Sequence, residues 1–265
     1  MKKNNILITV IITSYNKKKF ILKTIKSVKN QIYKNVEIIV IDNCSNDGSD
    51  RILSKISKIK LLKNKIYLSP ALNQIRSIEM GVKKSKGSII CLLDGDDLFK
   101  KNKVKQVVNY FNKLPKSKAV FDIPIIMHKI KIQNFNYSEN RVNNSSIWPT
   151  TFPTSSISLK KKYLEKCIKV FKKTNYELLE IDFRLSCLFS IHKENYNVIS
   201  EKLTLYRQVN NGIMSSYQKF GKYWWIKRSQ AFDFFIFIKK KFNQKFIFSI
   251  DYFITKIISN FFKCI

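Results

Sequence analysis

Along the first 113 residues, short apolar runs alternate with longer stretches in which apolar positions recur every three or four residues. Ile6–Ile12, Val36–Asp42 and Ser88–Asp94 are rich in β-branched residues and do not alternate with polar ones, as expected of strands covered on both faces. Phe20, Ile21, Thr24, Ile25, Val28 and Ile32 share one helical face. So do Leu72, Ile75, Ile78 and Val82 up to Gly87, and Val104, Val107, Val108 and Phe111 up to Pro115. This alternation predicts a parallel sheet flanked by helices. Each strand run ends in a polar turn, at Ser14–Asn16, Asn43–Gly48 and Gly95–Asp97. In open α/β sheets ligands bind beyond the carboxyl ends of the strands, so the three turns are expected at one binding edge.

After Pro115, Ala119–Met127 reads as a strand and 131–146 as a loop. A further unit begins near Trp148 and holds Thr154–Ser158, a helix around Lys161–Phe171, a second around Tyr176–Ile191, and a strand Tyr196–Arg207. The segment Lys222–Ile265 carries 14 of the 35 aromatics, an excess that its charge does not share. Aromatics interleaved with Lys239–Lys241, Lys245, Lys256 and Lys263 suit helices lying in the headgroup region of an anionic leaflet, with a packed helix pair as the alternative.

Composition narrows the class. With 45% hydrophobic and 13% aromatic residues the chain of 265 is folded, and six Gly and five Pro exclude collagen-like and low-complexity arrays. A net charge of +32 points to anionic surroundings, but only six of the fifty basic residues are Arg, the residue that reads nucleic acid grooves, so no specific nucleic acid partner is expected. Five scattered Cys without a C-x-x-C pair give neither a disulfide framework nor a zinc site and suit a reducing cytosol. With only His128 and His192, any metal must be held by carboxylates. Lys2, Lys3 and the run Ile6–Ile12 imitate a signal peptide, but no cleavage site follows and a buried strand explains the run better. No run of about 18 uncharged apolar residues predicts a membrane span.

The strongest chemical signal is Asp94-Gly95-Asp96-Asp97, directly after the buried run Ile89–Leu93. Carboxylates this close raise one another's pKa unless a cation neutralises them, so the cluster is read as a site for Mg²⁺ or Mn²⁺, whose shell is typically finished by substrate phosphates. The bland alternative is a solvated turn bent by Gly95. No P-loop or G-x-G-x-x-G is present.

Thr9–Asn16, Val36–Ser49 and Lys86–Asp97, in this order and spacing, resemble the family 2 glycosyltransferases. The resemblance implies a GT-A, Rossmann-like, mostly parallel sheet flanked by helices, here with a C-terminal helical aromatic and basic extension. It divides the chain into a nucleotide-sugar-binding half (1–115), an acceptor-binding half (116–215) and a C-terminal helical, membrane-associating segment (216–265). It further implies a nucleotide pocket of Thr13, Tyr15, Asp42, Asn43, Arg76 and Asp94, with Asp96 binding the metal and Asp94 and Asp97 beside it. Many members carry a second Asp where this chain has Asn43, a departure that bears on the nucleotide base; a UDP-sugar is the favoured donor. Glycosyl transfer to a hydroxyl needs a base, and the acidic pair Glu180 and Asp182 fits the family's position for it, Asp182 directly preceding Phe183-Arg184-Leu185. Leu203–Arg207 resembles a late family segment but lacks its His, leaving Arg207 as a candidate for the diphosphate or acceptor. The whole implies a metal-dependent, inverting hexosyltransferase. It would act on a glycan or lipid-linked acceptor in surface polysaccharide assembly, at the inner face of a bacterial plasma membrane. Two other classes remain as alternatives: a basic module binding anionic lipid or nucleic acid, and an aspartate phosphatase of the haloacid dehalogenase type.

Overall fold

The computed structural model describes residues 5–127, 132–134, 148–191, 196–209 and 217–264. β1 (Ile8–Ser14), α1 (Ile21–Lys29), β2 (Val36–Asn43), α2 (Ser49–Ser54), β3 (Lys60–Asn64), α3 (Pro70–Lys84) and β4 (Ile89–Asp94) form the first half. β5 (Leu98–Phe99), α4 (Lys103–Lys113), β6 (Ala119–Met127) and β7 (Ile132–Asn134) follow. After a 3-10 turn at Thr154–Ser156 come β8 (Ile157–Lys160), α5 (Lys161–Phe171), α6 (Ile181–Ile191), β9 (Tyr196–Arg207), α7 (Lys222–Lys241) and α8 (Ile250–Cys264). The strands make one mostly parallel sheet in the order β3-β2-β1-β4-β8-β6-β9-β5, with β7 paired to β6. β8 runs antiparallel to both its neighbours, and β5 and β7 are also antiparallel.

The period of two in a strand divides the core between the sheet's faces. Ile11, Ile39, Ile41, Ile90 and Leu92 pack on one face with α3, α5, α6 and α7. Val10, Ile12, Ile38, Val40, Cys91 and Leu93 pack on the other with α1 and α4. Burial on both faces is why these strands show no alternation of apolar and polar positions. α3 lies close against the sheet because Gly81 has no side chain; a Cβ there would sit 2.9 Å from Ile11 Cγ2 and 3.1 Å from Ile41 Cδ1.

Register aligns the strand ends. Ser14 of β1 pairs with Asp42 of β2, and Thr13 of β1 with Asp94 of β4. The chain leaves β1 for β2 and β3 on one side and returns to β4 on the other, so the β1–β4 boundary is a topological switch point with a crevice at its carboxyl end.

The structure departs from the sequence expectations in four places. α2 and the edge strand β3 have too little periodicity to be read from sequence and are fixed by pairing to β2. β7 lies within the stretch read as a loop, whose other residues, like His128, His192 and the 215/216 boundary, fall outside the described residues. The helix expected from Tyr176 begins only at Ile181. Arg184, fully buried, donates to the carbonyls of Leu179 (3.0 Å) and Tyr176, holding 176–180 as a non-helical turn. Finally, α7 is not a surface helix: Phe232, Phe234, Phe235 and Ile238 are buried in the core.

Candidate active site

The carboxyl edge of β4 turns through Gly95, whose amide donates to the Thr13 carbonyl (2.9 Å) and whose carbonyl accepts from Thr24 Oγ1 (3.0 Å). A Cβ on Gly95 would stand 3.0 Å from that Thr13 carbonyl oxygen, so the turn is pinned against β1 only with glycine there. The three carboxylates that flank it have separate surroundings. Asp94 Oδ1 accepts from Thr13 Oγ1 (2.9 Å) and Gln74 Nε2 (3.1 Å). Burial, then the charge of Asp96, pushes its carboxyl up to about 6. Asp96 pairs with Lys17 Nζ at 2.5 Å, and its backbone carbonyl accepts from the Arg207 guanidinium.

Asp97 is fully buried and both its oxygens are taken, Oδ2 by Ser155 Oγ (2.6 Å) and Oδ1 by the Arg207 amide (2.7 Å). Burial, then Asp96 and Asp94, raise it well above the usual carboxylate range. Asp97 thus braces the turn against β9 and the 3-10 turn, which explains why no set of three potential ligands forms among the described residues. Asp96 and Asp94 supply hard oxygen donors on one short turn, a set that fits Mg²⁺ or Mn²⁺ completed by phosphate oxygens.

The turn rests on a buried polar post. Lys103 Nζ, fully buried, ion-pairs with Asp122 and donates to Ser155 O (2.7 Å) and Thr204 Oγ1 (2.6 Å). Ser155 Oγ then accepts from the Asp94 amide (3.0 Å) while donating to Asp97. Lys103, Ser155, Lys17 and Gln74 were not assigned from sequence. Ser155 and Lys17 lie in polar runs that were visible there, but their partners are far away in the chain.

The expected nucleotide residues line the same edge. Tyr15 is exposed and its ring centroid lies 5.7 Å from that of Tyr67, on the segment before α3. Asp42 is buried at the end of β2; its Oδ2 accepts from the Ser45 amide (3.2 Å) and its Oδ1 has no partner among the described residues. Asn43 is turned inward, its Oδ1 accepting from Ser77 Oγ (2.6 Å) and Asn64 Nδ2 (3.1 Å). Among the described residues the buried Nε of Arg76 on α3 has no hydrogen-bond partner, and neither has Gln74 Oε1. Buried polar atoms left open at one edge are sites where a polar ligand can bind.

The start of α6 carries the second acidic group, within electrostatic reach of Asp94. Burial, then the neighbouring Glu180, pushes the Asp182 carboxyl up to about 7, and Asp94 contributes in the same direction. Glu180 ion-pairs with Lys227 of α7. The Tyr206 phenol, raised above its usual range by burial, also feels Asp97, Asp94, Asp182 and Asp96, so it lies near both the acidic turn and the start of α6. The structure therefore brings Asp182 within electrostatic reach of Asp94, and adds Tyr206 and Lys227, which sequence reasoning did not single out.

A mostly parallel α/β sheet with a carboxylate turn at its switch point defines an α/β fold that binds its ligand beyond the carboxyl ends of the strands. The sequence pattern of glycosyl transferase family 2 matches residues 9–162, and the chain belongs to that family. The chain is 31% identical over 104 residues to the putative teichuronic acid biosynthesis glycosyltransferase TuaG of Bacillus subtilis, a segment covering 39% of this chain and 41% of TuaG. It is 35% identical over 106 residues to WfaP of Escherichia coli, a UDP-Glc:α-D-GlcNAc-diphosphoundecaprenol β-1,3-glucosyltransferase, again 39% of this chain and 41% of WfaP. The chain thus spans less than half the length of these relatives. In structure it is similar to TarS 1-349 of S. aureus in complex with UDP-GlcNAc (TM-score 0.65, 16% identity, 97% of this chain and 71% of that one). It is also similar to the mannosyltransferase PcManGT of Pyrobaculum calidifontis in complex with GDP-Man and Mn²⁺ (TM-score 0.56, 16% identity, 92% and 66%). The phosphatase alternative falls with this fold: those enzymes carry their acidic motif on the first strand, whereas here it follows β4.

Proposed function

We propose that the chain transfers a hexosyl unit from a nucleotide-diphosphate sugar, a UDP-sugar in the first instance, to a hydroxyl of a glycan or lipid-linked acceptor, with inversion at the anomeric carbon. The observation that carries this is the Asp94–Asp96 turn at the switch point together with, within electrostatic reach of Asp94, the Asp182 carboxyl pushed up to about 7. Thr13, Tyr15, Asp42, Asn43 and Arg76 form the nucleotide side, with Asp42 Oδ1 and Arg76 Nε open to base, ribose or phosphate. Asp96, with Asp94, would hold Mn²⁺ or Mg²⁺, which when bound offsets charge developing on the leaving diphosphate. Asp182 accepts the proton of the acceptor hydroxyl as its oxygen bonds to the anomeric carbon and the bond from that carbon to the diphosphate oxygen breaks. A carboxyl near neutrality combines a useful fraction of the basic form with enough proton affinity to take the proton. Lys17, beside Asp96, and Arg207, at its carbonyl, keep positive charge near the departing nucleotide. TuaG, a putative glycosyltransferase of teichuronic acid biosynthesis, and WfaP, whose acceptor is a diphosphoundecaprenol, support a cytoplasmic, peripheral location on the inner face of a bacterial membrane. No helix among the described residues is long and apolar enough to cross a membrane.

Calorimetric titration with UDP, GDP and CDP, with Mn²⁺ and then with chelator, tests the donor site. Metal-dependent binding of one nucleotide that is lost in Asp96→Ala is expected; binding of none of the three overturns the proposal. Asp182→Asn should keep that binding and lose transfer.

A further inference from the structure

The two C-terminal helices divide their work. α7 is buried through Phe232, Phe234, Phe235 and Ile238, whereas α8 is amphipathic in the inverted sense. Its polar strip, Asp251, Thr255 and Ser259 at i, i+4, i+8, faces inward, Thr255 and Ser259 being fully buried. Asp251 pairs with Arg228 of α7, and Lys256 Nζ reaches Asp233 (2.5 Å) and Ser229 Oγ (3.0 Å) of α7. Its apolar strip, Ile250, Phe253, Ile254, Ile257 and Phe261, faces outward, and Ile247 and Phe248 of the preceding loop continue it. Ile247 is 83% exposed and Ile257 71%. Scattered exposed apolar residues need no explanation, but a contiguous stripe of seven on one side of one element marks an interaction surface.

We infer that this stripe docks the protein on an anionic phospholipid surface. The exposed charges that lead into it along the chain are Lys240, Lys241 and Lys245, and the one acidic residue of 239–264, Asp251, is turned to Arg228. Lysines around an apolar helix face match a leaflet of anionic headgroups, the apolar side chains entering the acyl boundary while the ammonium groups stay among phosphates. Two copies joined through the same stripe would instead bring like-charged lysine clusters together. The surface is tied to the candidate site by adjacent residues of α7: Lys227 holds Glu180, two positions from Asp182, and Arg228 holds Asp251 in the first turn of α8. The docking stands apart from the proposed function; only on that reading would the bilayer also carry a lipid-linked acceptor hydroxyl.

Co-sedimentation of the whole chain with vesicles of phosphatidylcholine, and of equal parts phosphatidylcholine and phosphatidylglycerol, tests it. Binding to the anionic vesicles is expected, weakened on the order of a hundredfold by Phe253→Ser/Ile257→Ser/Phe261→Ser, which removes outward side chains only. Lys240→Glu/Lys241→Glu/Lys245→Glu should abolish the preference for the anionic vesicles. Circular dichroism and the melting temperature should match wild type in both variants. Wild-type protein left in the supernatant of anionic vesicles overturns the inference, as does a dimer by light scattering that the triple serine variant turns into monomer. Vesicle binding without any nucleotide binding would sink the transferase reading and leave the docking surface standing.

Discussion

Lys103→Met removes the cation on which the acidic turn rests. In the wild type its ammonium, fully buried, meets Asp122, Ser155 O and Thr204 Oγ1 and lies 4.3 Å from the Phe99 ring centroid. Met fills much of the same volume, so the loss is electrostatic: Asp122, 1% exposed, is left without its counter-charge. Breaking a buried pair from one side costs about 3–5 kcal/mol. The loss depends on pH. Burial already raises the Asp122 carboxyl and Lys103 opposes this, so removing Lys103 raises it further. A carboxyl raised in the folded state contributes stability at low pH that is lost as pH climbs through its folded value, so the variant should be weakened more at about pH 8 than at about pH 5. Replacing both partners, as Lys103→Met/Asp122→Val, removes the buried charge altogether and should return stability to within about 1–2 kcal/mol of wild type. Urea unfolding at both pH values measures all three proteins. A cost below about 1 kcal/mol for the single variant, or a double variant no better than the single one, would refute the reasoning. Because Ser155 ties Asp94 to Asp97, nucleotide binding in the single variant should weaken under conditions in which it remains folded.

The remaining expectations concern the acceptor side and the core. In the wild type kcat/KM should rise with pH through about 7 as Asp182 ionises, and Glu180→Gln, by removing a like charge, should move that limb to lower pH while UDP affinity is unchanged; an unmoved limb separates Asp182 from the titrating base. Asp182→Asn should lower kcat on the order of 10²–10⁴-fold, measured as nucleotide release with acceptor present. Arg184→Met orphans the carbonyls of Leu179 and Tyr176 and should cost about 3 kcal/mol in urea unfolding, with kcat falling more than UDP affinity because Asp182 loses its fixed helix start. Gly81→Ala forces a methyl against Ile11 and Ile41 and should lower stability by about 1–3 kcal/mol by the same measurement.

Local pattern carried the first half of the fold because strands buried on both faces leave an unmistakable apolar run, and the turns that end them carry Gly, Asp and Asn for reasons that act within a few residues. The Asp94–Asp97 cluster was legible on the same ground: three adjacent carboxylates after a buried strand demand compensation wherever the chain goes. α2 and β3 were not legible, since one is a single turn and a half held at Gly48 and the other an edge strand half exposed, each defined by its neighbours. The division of labour among the three carboxylates was also out of reach. Asp97 became a brace because Ser155 and Arg207, 58 and 110 positions away, meet its oxygens, and the cation that meets Asp96, Lys17, comes from 79 positions away. The aromatic tail shows the same limit. Its sequence allowed either a packed pair or a surface helix, and tertiary structure chose one role for each half. α7 found the open face of the sheet and buried its phenylalanines, while α8 found Arg228 and Asp233 already waiting on α7, so its polar strip turned inward and its apolar strip outward. Sequence alone thus determined which segments must be buried and where charge must be compensated, because those demands are local. Which distant group meets each demand was decided only by the fold, because partner choice depends on geometry that no local pattern encodes.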